Sequence, residues 1–171
     1  MAELVISSMT GDDIASVRSL DANCFPDPWS QATWERELGS EGRNHLVAWL
    51  GDQLVGHASS LLMVDELHIT VVAVNPAVEG RGVATLLCLE LLRAGQAAGA
   101  AASTLEVRVN SLRAQRMYRR LGFAPAGVRP AYYRDPVEDA LIMWLHDLDS
   151  EGAKERLREV AADVAVSERV A

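Results

Sequence analysis

Two glycines flank an arginine in Glu79-Gly80-Arg81-Gly82-Val83-Ala84, shortly after the apolar run Val72-Ala73-Val74 and the stop Asn75-Pro76. This is the pattern of a strand, a tight turn and a helix start. Backbone N–H groups at a helix N-terminus point outward, and the helix dipole favours an anion there. Gly80 and Gly82 carry no side chain that would keep an anion away, and Arg81 adds a cation. The chemistry on offer is a phosphate cradle; the alternative is an ordinary strand-to-helix connection. No Gly-Lys-Ser/Thr follows, so it is not a nucleotide P-loop, and the third glycine of a dinucleotide fingerprint is missing.

A second set of reactive groups lies further along. Glu106 alternates with Leu105 and Val107, so a strand would put it on one face with Thr104 and Arg108. Taken alone, that reads as a solvated face with a carboxylate beside an arginine. Tyr118 shares a helical face with Ala114, Met117 and Leu121, so its ring is either core or a phenol facing a cleft. Cys24 and Cys88 have no histidine nearby in sequence, and Cys88 lies in an apolar helical pattern; neither suits a covalent intermediate. His68 sits in a β-branched run and reads as a satisfied core or cleft histidine. No partner ligands appear at metal spacing, so no metal is expected.

Together, the glycine turn, Leu105-Glu106-Val107-Arg108, Tyr118 and Leu121-Gly122-Phe123 resemble the GNAT acetyltransferase superfamily. Its Q/R-x-x-G-x-G/A motif matches Glu79 to Ala84 at all but the first place. Phe25-Pro26, Pro28-Trp29-Ser30 and Tyr132-Tyr133 are similar to the ribosomal-protein-alanine N-acetyltransferases, the RimI type. The resemblance covers about Leu4 to Leu145. It implies an acetyl-CoA-dependent enzyme. Main-chain groups around Val72, Ala73 and Val74 would hold the pantetheine arm, and those of Gly80, Arg81, Gly82, Val83, Ala84 and Thr85 the pyrophosphate. It also implies Glu106 as general base, often through water, and Tyr118 as the acid that protonates the leaving sulfur. Trp29, Tyr132 and Tyr133 would flank the substrate, an N-terminal α-amine of a protein such as a ribosomal protein.

Two positions depart from the family pattern. Glu79 stands where glutamine or arginine is usual. A carboxylate about 6 Å from a phosphate, at an effective dielectric near 20, costs roughly 3 kcal/mol. Either Glu79 points away or affinity for coenzyme A is modest. Ser111 replaces a cofactor-contacting asparagine; it can still cap a helix, and neighbouring Asn110 is a candidate substitute.

The amine itself can be weighed. An α-amine with a pKa of about 7.7–8.0 is roughly one-tenth neutral at pH 7, whereas a lysine at about 10.4 is neutral in about one molecule in 2,500. One carboxylate acting through water suits the first more easily. Asp65 and Glu66 are either an acidic lip for a basic peptide or a solvated hairpin. Alternative readings are a small-molecule amine or lysine acetyltransferase and a non-catalytic coenzyme A-binding module; Glu106 with Tyr118 argues against the module.

The elements that must position these residues follow from pattern. Strands are predicted at Leu4–Ile6, His45–Leu50, Leu54–Met63, Leu67–Val74, Thr104–Val109 and Ala140–Leu145. Helices are predicted from a Thr10 or Asp12 cap to Cys24, from a Ser30 cap to Leu38 with Gly39 ending it, from the glycine turn to about Ala98, and over Leu112–Leu121 with Gly122 as C-cap. Gly51-Asp52-Gln53 is a hairpin turn. The order predicts an α/β (α+β) fold with a mixed, mostly antiparallel central sheet flanked by helices. Residues 1–147 would form this domain and 148–171 a charged, helical extension. In the extension Leu157, Val160, Ala161 and Val164 make a stripe that either packs on the domain, meets another chain as an oligomer contact, or frays in solution.

Composition narrows the class. The 171 residues carry 24 acidic and 16 basic side chains, a net charge of -8, which argues against nucleic-acid binding. The same charge fits either a basic peptide substrate or simple solubility. There is no leader-like N-terminus, membrane-length apolar run or disulfide framework, so the cytoplasm is the expected compartment and no membrane partner is expected.

Overall fold

The computed structural model describes residues 2–170, with side chains described through residue 165. It is built on a seven-stranded sheet. In chain order the elements are β1 (Leu4–Ser8), α1 (Ile14–Cys24), α2 (Gln31–Leu38), β2 (Arg43–Leu50), β3 (Gln53–Met63), β4 (Glu66–Val74), α3 (Val83–Ala97), β5 (Ala102–Arg108), α4 (Leu112–Leu121), β6 (Ala124–Tyr133), β7 (Glu138–Leu145) and α5 (Glu151–Val170). The spatial order is β1-β2-β3-β4-β5-β7-β6. Every neighbouring pair is antiparallel except β4 and β5, which α3 connects as a crossover. The mixed, mostly antiparallel sheet flanked by helices is the architecture expected from the sequence.

Local signals explain most boundaries. Ser30 caps α2 by accepting a hydrogen bond from the Thr33 N–H at 3.2 Å. Gly122 ends α4 with φ 108°, a left-handed conformation that glycine adopts without strain. Gly39 ends α2 directly after Leu38, as expected, with φ -90°. One expectation is corrected. Ser111 occupies the N-cap position of α4, but its hydroxyl makes no capping bond. One strand was not anticipated. β6 contains Pro125 and Pro130, is exposed along nearly its whole length, and shows no apolar alternation; it pairs only with β7, at the sheet edge, where proline is tolerated.

Two cores lie on opposite faces of the sheet. Leu67, Ile69, Leu87, Leu91, Leu105 and Val107 belong to the larger one, under α3 and α4. Ile14, Val17, Trp34 and Val47 form the smaller one, under α1 and α2. The His57 Nε2–H of β3 donates to the Asp21 carboxylate of α1 at 2.5 Å, both buried, which ties α1 to the sheet. α5 packs on its own domain: Leu157, Val160 and Val164 are buried and Ala161 packs against the larger core. Of the readings left open for the stripe, the intramolecular one is what the structure shows. Burying three such side chains contributes about 1.5–3 kcal/mol each.

The β4–β5 pair positions the functional region. It is hydrogen-bonded at only three registers, Glu66↔Ala102, Leu67↔Ser103 and His68↔Thr104, and beyond these the strands part. Between Ser59/Ser60 of β3, the register to β4 slips from Val71 to Ile69, leaving Thr70 as an extra residue. Such a bulge bends its strand, and the Thr70 hydroxyl donates to the Ser59 carbonyl at 3.2 Å. The bulge also resets the alternation. Ahead of it Leu67 and Ile69 face the larger core; after it Val72 and Val74 do.

Candidate active site

The glycine turn has the geometry of an anion cradle. Asn75 accepts from the Ala77 N–H at 3.0 Å and shapes the turn after β4. Gly80 and Gly82 both have positive φ, 83° and 82°, on either side of exposed Arg81. A Cβ at Gly80 would lie 2.5 Å from Arg113 Nη2, and one at Gly82 would lie 2.6 Å from Val164 Cγ1. The first amides of α3, from Val83 to Thr85, have no partner within the helix. A cleft of about 810 Å³ opens over this turn. Its walls include Val72 and Val74 of β4, Asn110 and Ser111 ahead of α4, and Met117 and Tyr118 of α4. Ala73 does not join them: its side chain is buried and it pairs with His57 in the sheet.

The departure at Glu79 has a structural answer. Glu79 Oε2 lies 3.6 Å from Arg113 Nη1 of α4, so the carboxylate is partnered at the cradle's edge. The donors present, Arg81, Arg113 and the helix amides, fit a diphosphate. Arg113 was not singled out from sequence; the mismatch at Glu79 is the signal that could have prompted a search for a cation beside it. The place of α5 at the cleft was not foreseen either: Asp163 and Val164 line it.

Tyr118 is buried on the cleft side, its ring edge-on to Phe123 at 5.9 Å. Burial first, then the Cys88 and Tyr133 groups, pushes its phenol well above the ordinary range, so it keeps its proton. Burial pushes the Cys88 thiol up to about 12, which suits core rather than nucleophile. Cys24 is half-buried, raised chiefly by burial, with its Sγ 3.8 Å from the Val74 carbonyl. That contact sets the start of the Phe25–Ser30 loop beside the end of β4.

Glu106 projects from the other face of the sheet, since Leu105 and Val107 on either side enter the larger core. It is not a solvated charge: its side chain is 11% exposed. Oε2 lies 2.7 Å from His68 Nε2 and Oε1 lies 3.5 Å from Arg129 Nε. The split between β4 and β5 is therefore a window. The cleft with Tyr118 opens on one face, and Glu106 with His68 stands on the other. Tyr132 and Tyr133, edge-on at 5.0 Å, border the Glu106 side, and Arg108 lies 4.2 Å over the Tyr133 ring. Burial, then Tyr132, pushes Tyr133 up to about 12. Trp29 is 39% exposed and packs edge-on to Trp34 at 4.9 Å, so its ring partner is in α2 and not the tyrosine pair. Asp65 and Glu66 sit at the paired end of β4, away from the cradle. The Asp65 carbonyl accepts from Ala101 N–H at 2.7 Å, its side chain is exposed, and Glu66 lies two residues before His68 on the same face.

Comparison with known proteins agrees with this geometry. The family model described as Acetyltransferase (GNAT) family matches residues 14–123. The chain is 34% identical over 146 residues to N-alpha-acetyltransferase RimI of Mycobacterium tuberculosis, covering 82% of this chain and 90% of that one. It is 30% identical over 142 residues to the ribosomal protein bS18-alanine N-acetyltransferase of Escherichia coli, covering 82% and 95%. The crystal structure of the ribosomal-protein-S18-alanine N-acetyltransferase from Escherichia coli superposes with a TM-score of 0.76 at 27% identity, over 85% of this chain and 94% of that chain. The cradle, the split strands and this likeness converge: the chain belongs to the GNAT family and is an acetyl-CoA-dependent N-acetyltransferase.

Proposed function

We propose that the chain acetylates the N-terminal α-amine of a protein, with alanine or a similarly small first residue, such as that of a ribosomal protein. The observation that carries this reading is the two-sided window. A peptide end reaching Glu106 from one face would meet a thioester held against Val72 and Val74 from the other. The likeness to the RimI-type relatives supports the choice of a protein N-terminus.

In this reading the cradle amides, Arg81 and Arg113 hold the diphosphate, and the Val72–Val74 backbone guides the arm. Glu106 takes a proton from the ammonium. The freed electron pair attacks the thioester carbonyl carbon; as the C–S bond breaks Tyr118 gives its proton to the departing sulfur, and the second proton that the acylated nitrogen sheds, passed through solvent, restores the phenol. A thiol has an ordinary pKa near 8.5, so a phenol is a competent donor to a forming thiolate. The crowding by Tyr132 and Tyr133 suits a small first residue.

The test compares an alanine-initiated peptide with a free amine against the same peptide blocked at its N-terminus but carrying an internal lysine, with a polyamine as third substrate. Mass spectrometry locates the acetyl group. Acetylation of the free α-amine is the expected result. Preference for the lysine or the polyamine overturns the N-terminal reading and leaves the family assignment standing.

A further inference from the structure

α5 has no part in the scheme above, yet it touches both helices that wall the cleft. Val164 is buried with its Cγ1 against Gly82, the N-cap of α3, where an added Cβ would lie 2.6 Å away. About 12 Å back along α5, Arg156 lies against Gly122, the C-cap of α4, where an added Cβ would meet its Nη1 at 2.6 Å. A cation suits that helix end, whose last carbonyls lack helical partners. Asp163 gives a second tie to α4, with its Oδ2 3.5 Å from Arg120 Nη2. That pair is exposed and contributes little by itself. Leu157 and Val160 are buried in the larger core, so α5 is seated by apolar burial rather than by charge.

The glycine turn is a place where such a support matters. Gly80 and Gly82, at φ 83° and 82°, are the least constrained residue type in the chain. The turn's own bonds are long: the Glu79 N–H donates to the Pro76 carbonyl and the Arg81 N–H to the Val78 carbonyl, both at 3.3 Å. Amides already held in place bind an anion without the cost of ordering them. Arg113 covers Gly80 from α4 and Val164 covers Gly82 from α5, so the turn is held from two sides.

Resting on the reading of this turn as the diphosphate cradle, we propose that α5 is part of the coenzyme A site. It braces the start of α3 against the end of α4. Val164 is a positioning residue that keeps the Gly80–Gly82 turn in its phosphate-binding shape. Docking of α5 and binding of acetyl-CoA are therefore coupled, and each strengthens the other by the same factor. Glu106 stands on the opposite face of the sheet, so the brace acts on cofactor affinity and not on the amine.

The test uses the full chain and acetyl-CoA alone, which makes it independent of the amine. Titration calorimetry gives the Kd, and hydrogen exchange follows the α5 amides with and without saturating acetyl-CoA. Val164→Ala should raise the Kd at least about fivefold. Val164→Thr keeps both γ atoms over Gly82 and can bond its hydroxyl to the carbonyl one turn earlier, so its Kd should stay within about twofold of wild type. Val160→Asp places a carboxylate in the core, away from the cleft, and should raise the Kd at least as much by undocking α5. Acetyl-CoA should slow exchange of the wild-type α5 amides by about fivefold or more. With an alanine-initiated peptide, kcat of Val164→Ala at saturating acetyl-CoA should stay within about twofold of wild type, since a positioning role for the cofactor appears in affinity. Val17→Ala, in the smaller core on the opposite face, should lower the melting temperature and leave the Kd alone.

A wild-type Kd in Val164→Ala, or α5 exchange that acetyl-CoA leaves unchanged or hastens, overturns the proposal. So does an equal rise in Kd for Val17→Ala, which would mark general destabilisation, or a loss confined to kcat, which would tie α5 to Tyr118 instead. Should Val160→Asp fail to fold, Val164→Ala and the wild-type exchange decide. Arg113→Ala separates the two readings: if it raises the Kd and Val164→Ala does not, the brace falls and the cradle stands; if neither does, both fall.

Discussion

Gly82 is where the extension meets the cradle, and replacing it by alanine separates two costs. Its φ of 82° would place an L residue in the left-handed region, at about 1–2 kcal/mol. The new Cβ would also sit 2.6 Å from Val164 Cγ1, inside normal contact. Overpacking of this kind costs about 1–3 kcal/mol. Gly82→Ala should therefore destabilise the protein by about 2–5 kcal/mol in total. In a Val164→Ala background the offending Cγ1 is gone, and the remaining atom, Val164 Cβ at 3.8 Å, is at ordinary contact distance. Only the conformational cost should then remain, so a double-mutant cycle should give a coupling of about 1–3 kcal/mol. Urea denaturation of the four proteins measures it. Equal costs of Gly82→Ala in both backgrounds would refute the seating of α5 on the glycine turn. Acetyl-CoA binding by the same proteins reads the cradle independently, since the left-handed strain persists when the clash is relieved.

Three further outcomes are expected. Tyr118→Phe should lower kcat with little change in acetyl-CoA affinity; because burial raises the Tyr118 phenol well above 10, no alkaline loss of wild-type kcat should be assignable to it below that pH, and a limb there that vanishes in Tyr118→Phe would contradict the burial argument. Arg113→Ala should raise the KM for acetyl-CoA severalfold, by removing a diphosphate donor and by leaving Glu79 unneutralised beside the cradle, and adding Glu79→Gln should restore only the second part; no restoration at all would show that the ion pair with Glu79 does not matter to the cradle. If Asp65 and Glu66 attract basic residues downstream of the amine, the KM of a basic peptide should rise with salt while that of a neutral peptide barely moves, and a matching response of both peptides would remove the acidic lip from the account.

The elements legible in the sequence are those whose signals lie within a few residues. The Ser30 cap, the Gly122 C-cap, the Gly80–Gly82 turn and the stripe of α5 each depend on one turn of chain, and periodicity or a short polar side chain specifies them locally. β6 was not legible, because an edge strand pairs on one side only and Pro125 and Pro130 sit in it without penalty. The Thr70 bulge was not legible either: regular alternation over Leu67–Val74 would put Val71 and Ala73 on the face that Val72 and Val74 take. Two placements required the sheet itself. His68 meets Glu106 because a crossover helix sets β4 parallel to β5, and Arg113 reaches Glu79 because α4 returns over the same cleft. Residue type told which groups could hold a phosphate, take a proton or give one. Which of them face one another across the window was decided by strand order, by one extra residue in β4 and by the docking of α5, since contacts between distant segments depend on how the whole chain packs rather than on any local propensity.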